Sequence, residues 1–157
     1  EINKAIRRKH VLFVCSGNSC RSVIAEALFK KMMRERKRDD TEASSAGITA
    51  FSGQGASQGA REILAKEGID VSGHIARLMT RGIASSSDLI LVMERLHEAA
   101  ILKMAPEVRN RVFLLKEFAK IKDNNLDIAD PAGSPLDFYH DTFYSIKEAL
   151  ERVNNLI

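Results

Sequence analysis

At 157 residues, 45% hydrophobic and 29% charged, the chain has the size of one compact domain and enough apolar side chains to bury a core, which excludes a disordered chain. A net charge of +3, from 24 basic against 21 acidic residues, leaves no nucleic-acid footprint, and the basic run "KKMMRERKRDD" reads as a solvated helix end. No apolar run approaches the roughly 20 residues of a membrane span and no signal peptide opens the sequence, so the expectation is a cytoplasmic protein, a monomer or weak dimer, with no nucleic-acid or membrane partner.

Residues 1–9 read as an N-terminal extension or linker before a single domain over 10–157. "HVLFV" is a short β-branched apolar run, and "SVIAEALFKKMMRER" carries Ile24, Leu28 and Met32 at helical spacing. "TEASSAGI" predicts a second strand, followed by the loop "TAFSGQGASQG" and a helix "AREILAKEG" that stops at Gly68. "DLILVM" suits a central strand buried on both faces. "RLHEAAILKMA" reads as a helix ending before Pro106, and "RVFLLKEF" as a fourth strand. The last segment opens with Ser134 and Pro135, a favourable helix start, and presents Phe143, Ile146, Leu150 and Val153 as its buried stripe. Strands alternating with helices predict an α/β fold: a doubly wound, four-stranded parallel sheet with helices on both faces.

In such a sheet ligands bind beyond the carboxyl ends of the strands. "CSGNSCRS" stands there, between the first strand and the first helix, and holds both cysteines of the chain. Two cysteines five positions apart make no disulfide framework, and no Cys or His cluster with metal-ligand spacing follows, so no metal is expected. The fingerprints G-x-G-x-x-G and G-x-x-x-x-G-K-[ST] are absent. What remains is a loop for a tetrahedral oxyanion, residues Ser16, Gly17, Asn18, Ser19, Cys20, Arg21 and Ser22, in which Gly17 permits a tight turn and successive N–H groups and the helix N-terminus supply positive charge. A thiolate at Cys15 would sit under the anion while Arg21 grips two oxygens in a bidentate fork. Helix ends and cations lower a cysteine pKa from about 8.5 toward about 3.5–7.5, so Cys15 is expected to attack phosphorus as a thiolate.

The pattern C-x5-R-[ST] directly after a first strand resembles the low-molecular-weight protein tyrosine phosphatase family, and "SSAG", "GIDVSGHIAR", "DLILVM" and "DPAGS" fall in that family's order. The resemblance spans the chain from His10 onward. It implies a cysteine phosphatase acting on phosphorylated proteins through a phosphocysteine intermediate, without metal or other cofactor. By the same resemblance Cys15 is the nucleophile, Arg21 the phosphate clamp, and Ser22 a hydrogen-bond donor to the thiolate. Asn18 holds the loop in shape through Ser22, Ser45 and His74. Asp130 protonates the leaving group and then activates water. His10, His97 and His140 read as ordinary surface or core histidines. Cys20 is near enough in sequence to form a reversible disulfide with Cys15.

Tyrosine-directed relatives usually follow the Asp-Pro with aromatic residues, whereas Ala132 and Gly133 stand here, so Phe51 is left to wall the pocket opposite Ala132. Phosphotyrosine hydrolysis is the main reading. The alternative is a protein arginine phosphatase, which the chain resembles in "RVFLLKEF", in the short "DPxGS" turn and in the small hydroxyl residue Ser19. Thiol-linked arsenate reductases share a similar loop but need a further cysteine pair, where this chain has Met93 nearby. An idle phosphoprotein-binding module would not need Cys15, Arg21 and Asp130 together.

Overall fold

The computed structural model describes residues 8–157. Strand β1 (Lys9–Cys15) alternates Val11, Phe13 and Cys15 on one face with Leu12 and Val14 on the other, and all five are buried. A strand buried on both faces belongs in the middle of a parallel sheet. It lies between β2 (Thr41–Gly47) and β3 (Leu89–Val92), with β4 (Val112–Leu114) beyond β3. The order is β2-β1-β3-β4 and every pairing is parallel. Lys9, placed by sequence in the extension, is the first residue of β1 and pairs with Thr41; residues 1–7 of that extension lie outside the described residues.

Each face of the sheet gathers its own core. Val11, Phe13 and Cys15 pack with α1 (Arg21–Glu35), α2 (Gln58–Ala65) and α6 (Leu136–Asn154). Phe13 meets Phe29 of α1 edge to face, centroids 5.5 Å apart. Leu12 and Val14 pack with Ile90, Val92, Ala84 of α3 (Arg81–Ser85) and Ile101 of α4 (Arg95–Met104). Each fully buried aliphatic or phenyl group contributes about 1.5–3 kcal/mol, so both layers are needed to hold β1 in place. The expected α6 stripe, Phe143, Ile146, Leu150 and Val153, is buried. In α1, Ile24 and Leu28 are buried as expected, but Met33 rather than Met32 completes the inner face.

Two boundaries differ from the sequence reading. Only Val112–Leu114 of "RVFLLKEF" is strand; Glu117 folds back to accept the Leu114 N–H at 3.3 Å and turns the rest into a short helix, α5 (Leu115–Phe118). A short apolar run fits a strand or a buried helical turn equally by periodicity. Helix α6 starts at Leu136 with Pro135 as its cap residue, so Ser134 does not cap it. No described helix is long and apolar enough to cross a membrane.

The chain passes from β1 outward to β2 and then crosses to β3 on the other side. The carboxyl ends of β1 and β3 therefore flank the point where the connections diverge, the place where open α/β sheets bind ligands.

Candidate active site

The loop 16–20 leaves β1 at that divergence point and runs straight into α1, whose cap residue is Cys20. Its carbonyls are tied outward. Cys15 O accepts from Ile48 N–H (3.0 Å), Ser16 O from Thr49 N–H (2.9 Å), Asn18 O from His74 Nε2–H (2.8 Å) and Ser19 O from Ser57 N–H (2.8 Å). In a trans peptide the next N–H points opposite to the carbonyl, so the N–H groups of Ser16, Gly17, Ser19 and Cys20 are turned inward. With the first turn of α1 they make a concave donor nest, the right shape and charge for an oxyanion.

The turn is carried by Asn18, at φ 53°, and not by Gly17 as the sequence suggested. Asparagine tolerates that left-handed conformation. The glycine this loop requires is Gly47 on β2, because a Cβ there would stand 2.6 Å from Ser16 O and 2.7 Å from Asn18 N.

Asn18 is fully buried and its amide orders the hydroxyls around it. Nδ2 donates to Ser22 Oγ (2.8 Å) and to Ser45 Oγ (2.9 Å), while Oδ1 accepts from Arg77 N–H (2.9 Å). Both hydroxyl oxygens thereby act as acceptors toward Asn18, which directs their own protons elsewhere. Ser45 donates to Glu26 Oε1 at 2.6 Å, and Ser22 donates to Cys15 Sγ at 3.0 Å. The Ser22 N–H also reaches Sγ, at 3.4 Å. The expected partners of Asn18 are all present, with one difference: His74 holds its backbone carbonyl and Arg77 takes the side-chain oxygen.

Arg21 is 2% exposed. Its Nη1 donates to Glu94 Oε2 and to Ile128 O (2.8 Å), and these bonds hold the guanidinium beneath the loop. Among the described residues Nη2 makes only longer contacts, to Ser16 Oγ at 3.5 Å and Asp130 Oδ2 at 3.8 Å, so it is the nitrogen with donors left for an anion. Asp130 stands on the opposite side, its side chain 48% exposed and Oδ1 accepting from Ala132 N–H at 3.0 Å. Phe51, 78% exposed, follows the segment 48–49 that is bonded to the loop's carbonyls. Ala132 is tied to the site through Asp130, while the Phe51 ring is left open to solvent.

The two cysteines differ in kind. Both are free thiols, but Cys20 is pushed up to about 12, by burial first and then by Cys15 and Asp130, against weaker opposing pulls from Ser57 and Arg21. It stays protonated and is no rival nucleophile at neutral pH.

Besides Arg77, three residues outside the expected set complete the site. Glu94 anchors Arg21, Glu26 receives the Ser45 proton, and His97 braces the loop. His97, expected to be an ordinary core histidine, is indeed buried, yet its Nδ1 accepts from Glu94 N–H (3.0 Å). The neutral ring must then carry its proton on Nε2, which donates to Ser16 Oγ at 2.9 Å. Burial and, next, the charge of Arg21 pull His97 down to about 4, so it is neutral at pH 7. Glu94 could have been found from sequence, since it directly follows the buried run "LILVM" at a strand's carboxyl end.

The chain matches the family described as low molecular weight phosphotyrosine protein phosphatase over residues 10–156. It is 36% identical over 143 residues to the low molecular weight protein-tyrosine-phosphatase Wzb of Escherichia coli (strain K12), covering 91% of this chain and 88% of that one. It is 34% identical over 143 residues to the protein-arginine-phosphatase of Bacillus subtilis (strain 168), covering 91% and 93%. Among solved structures, a low molecular weight protein tyrosine phosphatase from T. tengcongensis superposes with a TM-score of 0.88 at 35% identity, covering 95% of this chain and 99% of that one. The YwlE arginine phosphatase, solved as a Cys-to-Ser variant with a phosphorylated active-site serine, gives 0.87 at 31% identity, covering 94% of each. With the parallel sheet, the anion nest and matches along nearly its whole length, the chain belongs to the low molecular weight phosphotyrosine protein phosphatase family.

Proposed function

We propose that this chain hydrolyses phosphotyrosine in phosphorylated proteins through a phosphocysteine intermediate, with the catalytic domain running over 9–157, from the first residue of β1. The observation that carries this reading is the convergence of two donors on Cys15 Sγ beneath an inward-facing ring of N–H groups. Donors match an anionic sulfur, and the ring matches the oxygens of the group that sulfur attacks. In the first step the Cys15 thiolate forms a bond to phosphorus as the bond to the leaving oxygen breaks, and Asp130 gives that oxygen its proton. In the second, water attacks phosphorus, Asp130 takes the water's proton, and inorganic phosphate leaves with the thiolate restored. Arg21 Nη2, whose contacts to Ser16 and Asp130 are long, donates to the transferring oxygens. The exposed ring of Phe51 packs on the substrate's phenyl group. Covalent chemistry of this kind is supported by the phosphorylated active-site serine of the related arginine phosphatase variant.

A second reading, hydrolysis of phosphoarginine, is favoured by one feature: the two residues directly after Asp130-Pro131 are the small, exposed Ala132 and Gly133, which bring no aromatic ring to the mouth. Turnover of matched phosphotyrosine and phosphoarginine peptides by the purified chain decides between them. A preference of tenfold or more for phosphotyrosine is expected, and the reverse preference selects the second reading. Ser19→Ile should then move the ratio of kcat/KM further toward phosphotyrosine by about 1–3 kcal/mol, the usual size of a single pocket change.

A further inference from the structure

Helix α6 begins six residues beyond Asp130, and its first turn is mostly unburied: Leu136 is 53% and Phe138 56% exposed. Tyr139 is the first large side chain of that helix tucked against the body of the protein. Its ring lies directly over Gly59, the second residue of α2. A Cβ on Gly59 would fall 2.4 Å from Tyr139 Cε1 and 2.7 Å from Cδ1 and Cζ, far inside the ~3.5–4.0 Å at which carbon atoms meet. Glycine near a helix start is not there for helicity, since it is about 1 kcal/mol worse than alanine within a helix. Its use here is the notch.

That notch is joined to the phosphate loop. Ser57, which caps α2 by accepting the Ala60 N–H (3.2 Å), donates its own N–H to Ser19 O. The Tyr139 phenol is made less acidic by burial and then by Cys20 and Asp130. The path back to Asp130 is stiff. Asp130 accepts the Ala132 N–H, Pro131 O accepts the Ser134 N–H (2.9 Å), and Pro135 O accepts the Phe138 N–H (3.0 Å), with two prolines fixing φ along the way.

We propose that Tyr139 is a positioning residue for Asp130: its ring, keyed into the gap that Gly59 leaves open, clamps the first turn of α6 to the base of the phosphate loop and so fixes the distance of Asp130 from the leaving group. The proposal rests on the reading of Asp130 as the general acid. A stiff turn transmits a displacement of the ring to the carboxyl group, and a misplacement of about 1 Å is enough to cost up to ~10²-fold in rate. Among the described residues no hydrogen bond to the nest or to Arg21 comes from α6, so the anion's own donors keep their partners and anion affinity is expected to change little.

The test uses the full chain with Gly59→Ala, Tyr139→Ala, Tyr139→Phe and the double variant Gly59→Ala/Tyr139→Ala. Each is assayed by single-turnover kinetics on an unactivated and a nitro-activated aryl phosphate, with vanadate affinity measured alongside. Gly59→Ala and Tyr139→Ala are expected to slow phosphorylation by the unactivated substrate about 10–100-fold. The activated substrate should lose less than about twofold and vanadate affinity should stay put, because a good leaving group needs little acid. Tyr139→Phe keeps the key and should remain near the parent rate. In the Tyr139→Ala background, Gly59→Ala should add no further loss. Equal losses on both substrates, or additive losses in the double variant, overturn the proposal. If instead Asp130→Asn in the parent chain shows no dependence on the leaving group, the reading of Asp130 as acid is what fails.

Discussion

Residues 15–22 and 127–135 face each other across the same site, yet they are held in opposite ways. In the first stretch Asn18 and Ser22 are fully buried, Arg21 nearly so, and every polar group of the Asn18 side chain has a partner on another segment. In the second, Ile128 is bonded to Met93 and Arg21, but Asp130 is half exposed and its short bond is to its own neighbour, Ala132. On the proposed mechanism the difference follows from the work each would do. Recognising a dianion requires dipoles that need no reorganisation, which burial and full pairing provide. Passing a proton to a leaving group and taking one from water requires a carboxyl that water can reach.

Four changes break or sharpen that contrast. Cys15→Ser acts on the buried side and should lower turnover by at least about 10⁴-fold while vanadate or phosphate still binds, since the nest does not depend on the sulfur. Stopped-flow turnover and anion titration check it, and hydrolysis at the parent rate would remove Cys15 from the mechanism. Asp130→Asn acts on the exposed side. It should cost about 10²–10⁴-fold on poor leaving groups and far less on activated aryl phosphates, with anion affinity unchanged. A loss of anion affinity would mean that Asp130 belongs to the cradle after all.

Asn18→Ala should damage both binding and rate by about tenfold. It takes one donor each from the Ser22 and Ser45 hydroxyls and the acceptor from the Arg77 N–H, and puts an unsuited residue at φ 53°, at about 1–3 kcal/mol of folding stability. Denaturant unfolding and phosphate affinity should fall together; affinity that survives the stability loss would show that the nest holds its shape without the amide. The smallest effect is a pH dependence of stability. The folded His97 value, about 4, lies below the 6.5 of an unfolded histidine, so between those values the unfolded chain binds the extra proton. Stability from this group is therefore complete above about pH 6.5 and is lost as pH falls toward 4. Comparing unfolding midpoints of the parent and His97→Gln at pH 7 and 5 checks it; equal drops in both proteins would show that His97 is not the group that titrates.

Much of this was readable from sequence because local chemistry and fold agree there. Strands β1 and β3 are continuous apolar runs, and "CSGNSCRS" combines a thiol, a turn residue and a cation within eight positions. What escaped the reading was set by distant contacts. Glu26 is one more acid on a charged helix until Ser45 arrives from β2, and His97 is one more helix residue until Ser16 meets it. Leu115 and Phe118 fit a strand by composition, and Glu117 decides otherwise through a bond back to Leu114. The role of Gly17 was overread for a related reason: φ at one position depends on which neighbours pull the adjoining carbonyls, and those neighbours lie at 48, 49, 57 and 74.

Those four tethers also bear on the birth of the protein. Cys15 and Arg21 leave the ribosome before their partners: the donors that aim the loop's N–H groups inward come as late as His74, and the groups that seat Arg21 as late as Glu94 and Ile128. Contacts so distant in sequence form only after most of the chain is available. Until then the cysteine is an ordinary thiol on an unshaped segment, unable to trap a stray phosphate ester. Catalytic power in this chain is a property of completed closure, and a chain truncated before β3 should be alkylated at Cys15 at the rate of a free thiol.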